Sequence, residues 1–184
     1  MNNGKLFVIS GASGVGKSTV LASVMAQRKD LTFSVSATTR DPRPGETEGI
    51  SYYYVSKEKF LDMIENNEFL EYDAHMGNFY GTPKAQLEEK LRQGNVLLDI
   101  EPNGAFIVRK ARPDAVLIFI APPSLEELEN RLRNRGDTPE DQIKLRMERV
   151  AWEMEQGRKY DYFVVNDQVE ACANKILEII ADEK

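Results

Sequence analysis

The sequence predicts an α/β fold: a five-stranded parallel sheet flanked by helices, with an inserted small α+β lobe and a further helical region. Three observations lead to it. β-rich runs recur at helix-sized intervals, at Lys5 to Ser10, Thr32 to Ser36, Asn95 to Ile100, Ala115 to Ile120 and Tyr162 to Asn166. Most are apolar nearly throughout, as parallel strands buried on both faces are. The intervals carry helix caps and helical periodicity, the pattern of a sheet with helices on both faces. From Thr38 to about Gly81 the texture changes to turns, short strands and one helix, too much material for a plain crossover. The division that results is a core of residues 1–36, 82–124 and 158–184, a lobe of residues 37–81 and a helical region of residues 125–157.

Leu6-Phe7-Val8-Ile9 runs directly into GASGVGKST, which fits G-x-x-x-x-G-K-[ST]. Gly11, Gly14 and Gly16 allow the tight turn of a P-loop, and Ala12, Ser13 and Val15 lie between them. The loop aims its N–H groups at a phosphate chain, at the positive end of the next helix. Lys17 is placed to meet the outer phosphates, Ser18 has the hydroxyl such loops use on Mg²⁺, and Thr19 starts a helical run with Val20, Val24 and Met25 inward. The reading is a P-loop NTPase core.

In the lobe, Asp41-Pro42-Arg43-Pro44-Gly45 is a turn, Ser51 to Val55 a short strand, and Lys57 to Asn66 a helix with Phe60, Met63 and Ile64 inward. Two more short strands follow. Thr82-Pro83 then reads as N-cap and N1 of a helix that Gly94 stops. Ser124-Leu125-Glu126-Glu127 is a capping box for a helix with Leu128, Arg131 and Leu132, and Thr138-Pro139 opens the next, which runs past Arg146 and Trp152. Trp152 is expected in helix packing, since Trp is highly buried on average.

A chain of 184 residues with 41% apolar content supports one domain with a sizeable core. No apolar run approaches the roughly 20 residues that span a bilayer, and the N-terminus has no secretory pattern, so a cytoplasmic protein with no membrane partner is expected. Cys172 is expected on a buried helix face, and His75 as a structural histidine with no partners for a transition metal. The net charge of −6 argues against wrapping nucleic acid. Yet Arg40, Arg43, Arg131, Arg133, Arg135, Arg146 and Arg149 gather in two regions, which suits a small polyanion.

The P-loop alone leaves GTPase, ATPase, transporter subunit and small-molecule kinase open. Asn174-Lys175 lacks the Asp of a guanine-reading Asn-Lys-x-Asp, and Asp99 has Pro102 where a switch glycine belongs, so both GTPase motifs fail. GASGVGKS, SATTRDPRPGE (Ser36 to Glu46), FLEYDAHMGNFYGTP (Phe69 to Pro83), LDIEPNGA (Leu98 to Ala105), RLRNRG (Arg131 to Gly136) and VND (Val165 to Asp167) together resemble guanylate kinase, in order through almost the whole chain.

The resemblance implies transfer of the γ-phosphoryl group of ATP to GMP, giving ADP and GDP, with Mg²⁺. It assigns Arg40, Arg43, Tyr52 and Tyr80 to the acceptor phosphate. Glu71 would accept from N1–H and the amine of guanine, Glu101 would take the other amine proton, and Ser36 and Thr82 would donate to O6. Arg131, Arg135 and Arg146 resemble the lid arginines that close over the phosphates, which makes residues 125–157 the helical lid, with Lys17 as the loop's own catalytic cation. Asn166 and Arg135 would border adenine, and Asp99 would orient Mg²⁺-bound water. Taken without the family, Glu71 reads as a surface carboxylate and the arginines as solvated faces.

The sequence departs from the family's frequent D-I-D-x-Q-G at Glu101 and Asn103, which keep the chemical types and change their reach. Two other readings share these motifs: a guanylate-kinase-like binding module without turnover, and a related P-loop kinase for another phosphorylated acceptor.

Overall fold

In a computed structural model that describes residues 4–75, 77–134 and 139–183, the apolar runs become strands because each can bury both faces. The order begins with β1 (Leu6–Gly11), α1 (Lys17–Gln27), β2 (Thr32–Phe33), β3 (Ala37–Thr38), β4 (Tyr53–Tyr54), α2 (Lys57–Glu65), β5 (Phe69–His75) and β6 (Asn78–Pro83). It continues with α3 (Lys84–Gln93), β7 (Val96–Asp99), α4 (Pro102–Ala111), β8 (Val116–Ala121), α5 (Leu125–Asn134), α6 (Glu140–Gly157), β9 (Tyr162–Val165) and α7 (Val169–Asp182).

Five strands form one parallel sheet in the order β2-β7-β1-β8-β9. Leu6 pairs with Val96, Phe7 with Val116 and Ile118 with Tyr162. Phe7, Val8, Ile9, Leu97, Leu98, Ile118 and Phe119 are fully buried, so helices cover the sheet on both faces. The chain leaves β1 toward β2 on one side and later crosses to β8 on the other. That reversal opens a crevice at the carboxyl ends of β1 and β7, where such sheets bind ligands.

The inserted segment builds a second sheet in the order β4-β3-β6-β5. β3 pairs parallel to β4 and antiparallel to β6, and β5 and β6 are an antiparallel pair. Its small core is aromatic: Phe60 of α2 stacks on Phe69 and Phe79, with ring centroids 4.4 and 5.5 Å apart. Ala37 and Met63 complete that core.

Serine hydroxyls set two of the helix starts, and the one at Ser124 is as expected. Ser56 accepts from the Lys59 amide at 3.1 Å, and Ser124 accepts from the Glu127 amide at 3.0 Å, so α2 and α5 begin on capping hydroxyls. Cys172 is buried on α7. Two expectations are overturned. Thr82 is a strand residue whose hydroxyl turns to Glu71, and Pro83 itself is the N-cap of α3, because β6 extends farther than a cap at Thr82 allows. Trp152 is 39% exposed on α6 rather than packed inside, because Ile143, Val150 and Glu153 form that helix's buried face. Thr138, expected to open α6, lies outside the described residues.

Candidate active site

The P-loop turn depends on left-handed backbone at Gly14 (φ 80°) and Gly16 (φ 86°), which a side chain rarely adopts. Gly16 is the N-cap of α1, so the helix and its positive end begin at Lys17. The loop is fixed from behind by two buried side chains. Asn166, past the end of β9, donates from Nδ2 to the Val15 carbonyl at 2.8 Å. Glu153 of α6, with no exposed surface, accepts from the Ser13 amide at 2.7 Å and the Ser13 hydroxyl at 3.2 Å. Gly11 and Ala12 continue from β1, and the Ala12 amide donates to the Ile120 carbonyl at 3.1 Å. Ser18 and Thr19 are on the first turn of α1, and both are exposed.

Lys17 extends from this turn onto the carboxylate of Asp99, the last residue of β7. Burial pulls its ammonium down to about 8, while Glu101 and Glu153 pull the other way. A cation kept in a poorly solvated place and held by one carboxylate is ready to exchange that partner for a phosphate.

A cavity of about 170 Å³ joins the two sheets and brings together Lys17, Asp99 and Glu101 from the core with Ser36, Tyr52, Glu71 and Tyr80 from the insertion and its edge. Glu71 is 5% exposed and accepts from the Thr82 hydroxyl at 2.5 Å. Burial pushes its carboxyl up to about 7, against the opposing hydrogen bond from Thr82. A buried carboxylate with two acceptor oxygens pairs best with a ligand edge that has adjacent donors.

Around the phenols lies the arginine segment. The rings of Tyr52 and Tyr80 are 6.0 Å apart, and the Arg40 guanidinium stands 5.4 Å from the centroid of Tyr52. Arg40 forks onto Glu46 at 2.9 and 3.0 Å. Glu46 also accepts from the Tyr54 hydroxyl at 2.8 Å and the Arg43 amide at 2.7 Å, and Arg40 above all holds its carboxyl down at about 2. Glu46 thus sets the shape of the turn that presents Arg40 and Arg43.

Of the three arginines assigned to the lid, Arg146 has a described side chain, and it does not line the cavity. Arg146 is exposed on α6. The side chain of Arg131, on α5, and the whole of Arg135 lie outside the described residues. Arg149, one turn beyond Arg146, does reach the cavity rim, where it meets His75 at 3.1 Å and Glu101 at 3.1 Å. Sequence reasoning gave no role to Glu46 or Glu153, and it named Arg149 only among the clustered arginines that suit a polyanion. Glu46 was reachable through its place at the end of the Ser36 to Glu46 motif, whereas the burial of Glu153 is set by tertiary packing alone.

Mg²⁺ keeps several waters and commonly binds through one or two protein oxygens plus substrate phosphates. Among the described residues no group of three or more His, Cys, Asp or Glu side chains is arranged to hold a metal on its own. The exposed Ser18 and the Asp99 carboxylate at the cavity fit an ion that arrives with a nucleotide. Among the described residues no helix is long and apolar enough to cross a membrane.

The guanylate kinase family model matches residues 3–183. The chain is 47% identical over 182 residues to a guanylate kinase of Thermus thermophilus, covering 98% of this chain and 82% of that protein. It is 46% identical over 185 residues to a guanylate kinase of Clostridioides difficile, covering 100% of this chain and 90% of that protein. The crystal structure of guanylate kinase from Anaplasma phagocytophilum superposes with a TM-score of 0.80 at 35% identity, over 100% of this chain and 87% of that one.

Proposed function

The chain belongs to the guanylate kinase family, and from that premise we propose how its residues divide the work of moving the γ-phosphoryl group of ATP to GMP. The enzyme gives ADP and GDP. The observation that carries the reading is one cavity holding Lys17 at the P-loop end and the buried carboxylate of Glu71 at the other.

The acceptor phosphate of GMP is mostly ionised at pH 7, so the reaction needs no strong general base. One of its oxygens forms the new bond to the γ-phosphorus as the bond to the β–γ bridging oxygen breaks and ADP departs. Repulsion between two polyanions is the barrier to be met, chiefly by positioning and charge. Arg40 and Arg43 fork onto the acceptor phosphate, and the hydroxyls of Tyr52 and Tyr80 donate to its other oxygens. The loop from Gly11 to Thr19 cradles the ATP phosphates with its amides. Lys17 leaves Asp99 for the transferring group, where a preorganised cation acts most strongly.

Glu71 accepts from N1–H and one amine hydrogen of guanine, and Glu101 accepts the second. Adenine presents a lone pair at N1 and meets Glu71 with repulsion. Ser36 donates to O6. Thr82 is assigned to the same oxygen by resemblance, although its hydroxyl is engaged by Glu71 here. Asn166 and Arg135 border adenine.

Kinases of this kind use a divalent metal ion, which we take to be Mg²⁺; when bound it neutralises charge on the β- and γ-oxygens. Ser18 would hold it, and Asp99, once released by Lys17, would orient its waters. We assign residues 37–81 as the GMP lobe, residues 125–157 as the lid and residues 1–36, 82–124 and 158–184 as the core. Closure of the lid carries Arg131, Arg135 and Arg146 to the phosphates and keeps water away. The cytoplasm is the compartment we assign. Competition binding tests the base assignment: GMP should displace a fluorescent guanine nucleotide far better than AMP, and Glu71→Ala should remove the difference.

A further inference from the structure

Arg149 uses each of its three guanidinium nitrogens on a different partner. Nε donates to Glu153 at 2.8 Å, one terminal nitrogen meets His75 Nδ1 at 3.1 Å, and the other donates to Glu101 Oε2 at 3.1 Å. The three partners come from different parts of the fold: Glu153 from α6, His75 from the end of β5, and Glu101 from the N-cap position of α4. Glu153 in turn grips the P-loop through Ser13. Arg149 is therefore fixed at its root by a carboxylate that has no exposed surface. Its far end reaches a Glu101 side chain that is 46% exposed.

An exposed glutamate on its own samples several rotamers and meets a ligand only after losing that freedom. A guanidinium that holds one carboxylate oxygen removes the freedom beforehand and leaves the other oxygen to a donor in the cavity that Glu101 lines. We propose that Arg149 is a specificity-determining positioning residue: by holding Glu101 Oε2 it aims the remaining oxygen at the exocyclic 2-amine of the purine, and so favours guanine over a purine that lacks that amine. This inference rests on the reading of the cavity as the GMP site. The longer reach of Glu101, compared with the aspartate often found there in the family, is what lets one carboxylate meet both Arg149 and the base.

The test compares GMP with IMP, which has the same N1–H, O6, ribose and phosphate but no 2-amine. Steady-state rates are measured for the full chain and for Arg149→Met, Arg149→Lys, Glu101→Gln and the double variant Arg149→Met/Glu101→Gln. Arg149→Lys keeps a positive charge beside Glu153 and guards against a variant that fails to fold. In Arg149→Met the GMP-over-IMP ratio of kcat/KM should fall about tenfold, the scale of one charge-assisted hydrogen bond. The fall should appear in KM for GMP rather than in kcat. The double variant should lose no more preference than Glu101→Gln alone, because the two residues act through one contact. An Arg149 variant that keeps the wild-type ratio, or that loses kcat equally with both substrates, overturns the proposal and leaves the cavity's assignment standing. A wild-type enzyme with no preference for GMP over IMP overturns the proposal together with the base-recognition scheme.

Discussion

Glu71 occupies space that Gly104 leaves open: a Cβ at Gly104 would stand 2.6 Å from Glu71 Oε2. The first turn of α4 can therefore lie against a buried carboxylate only because residue 104 has no side chain. Thr82 holds the other oxygen at 2.5 Å, so the carboxylate is fixed from two sides before any ligand arrives.

Gly104→Ala should push Glu71 out of this position. KM for GMP should rise about tenfold or more, the scale of losing a hydrogen bond to a charged group. Circular dichroism should show the fold retained, since Ala suits a helix better than Gly. A variant with unchanged KM would mean that the contact does not set the carboxylate's position.

The position of Glu71 has a cost in stability with a definite pH dependence. Its carboxyl is raised from 4.5 to about 7 in the folded chain. Below pH 4.5 it is protonated in both states and costs nothing. Between 4.5 and 7 the unfolded chain ionises first, so stability falls as pH rises, by a total of about 3 kcal/mol, and stays at that level above 7. Glu71→Gln should accordingly unfold at higher denaturant at pH 8, with the advantage shrinking toward pH 5. An equal difference at both pH values would contradict a raised carboxyl.

GMP binding should release a proton from the same group, because accepting from two donors requires the ionised form. Near pH 7 about half a proton should be released per GMP, and less at pH 9. Calorimetry in buffers of different ionisation enthalpy reads this directly. Glu71→Gln separates it from the phosphate of GMP, which has its own second ionisation near ~6. Release that persists in Glu71→Gln would assign the proton elsewhere.

Lys17→Ala should lower kcat by at least ~10²-fold, the effect of losing one preorganised charge contact. It also strips Asp99 of the cation in contact with it. Near-normal turnover would remove Lys17 from the mechanism.

Much of this architecture was legible in the sequence because its signals are local. Apolar runs became the five-stranded sheet, the loop at Gly11 to Gly16 turns at its glycines, and Ser124 caps its helix as its spacing foretold. Residues whose roles depend on what packs over them were not legible. Thr82-Pro83 carries a cap signature, yet pairing with β5 keeps Thr82 in a strand. Glu153 reads as one more charge on an acidic helix, and only the fold seals it beneath Ser13. Trp152 reads as core until the inward face of α6 is known. Family resemblance singled out Glu71, but its burial and raised carboxyl required the structure.

The central claim is that one cavity selects guanine and delivers its phosphate to the γ-phosphoryl of ATP. Initial rates of ADP formation from MgATP, compared with GMP, AMP, UMP and ribose 5-phosphate as acceptors, test it most directly. The account predicts GMP-dependent turnover with kcat/KM at least ~10³ above AMP, as expected of a site built to hydrogen-bond its substrate. Equal rates with AMP, or GMP that binds without being phosphorylated, would contradict it.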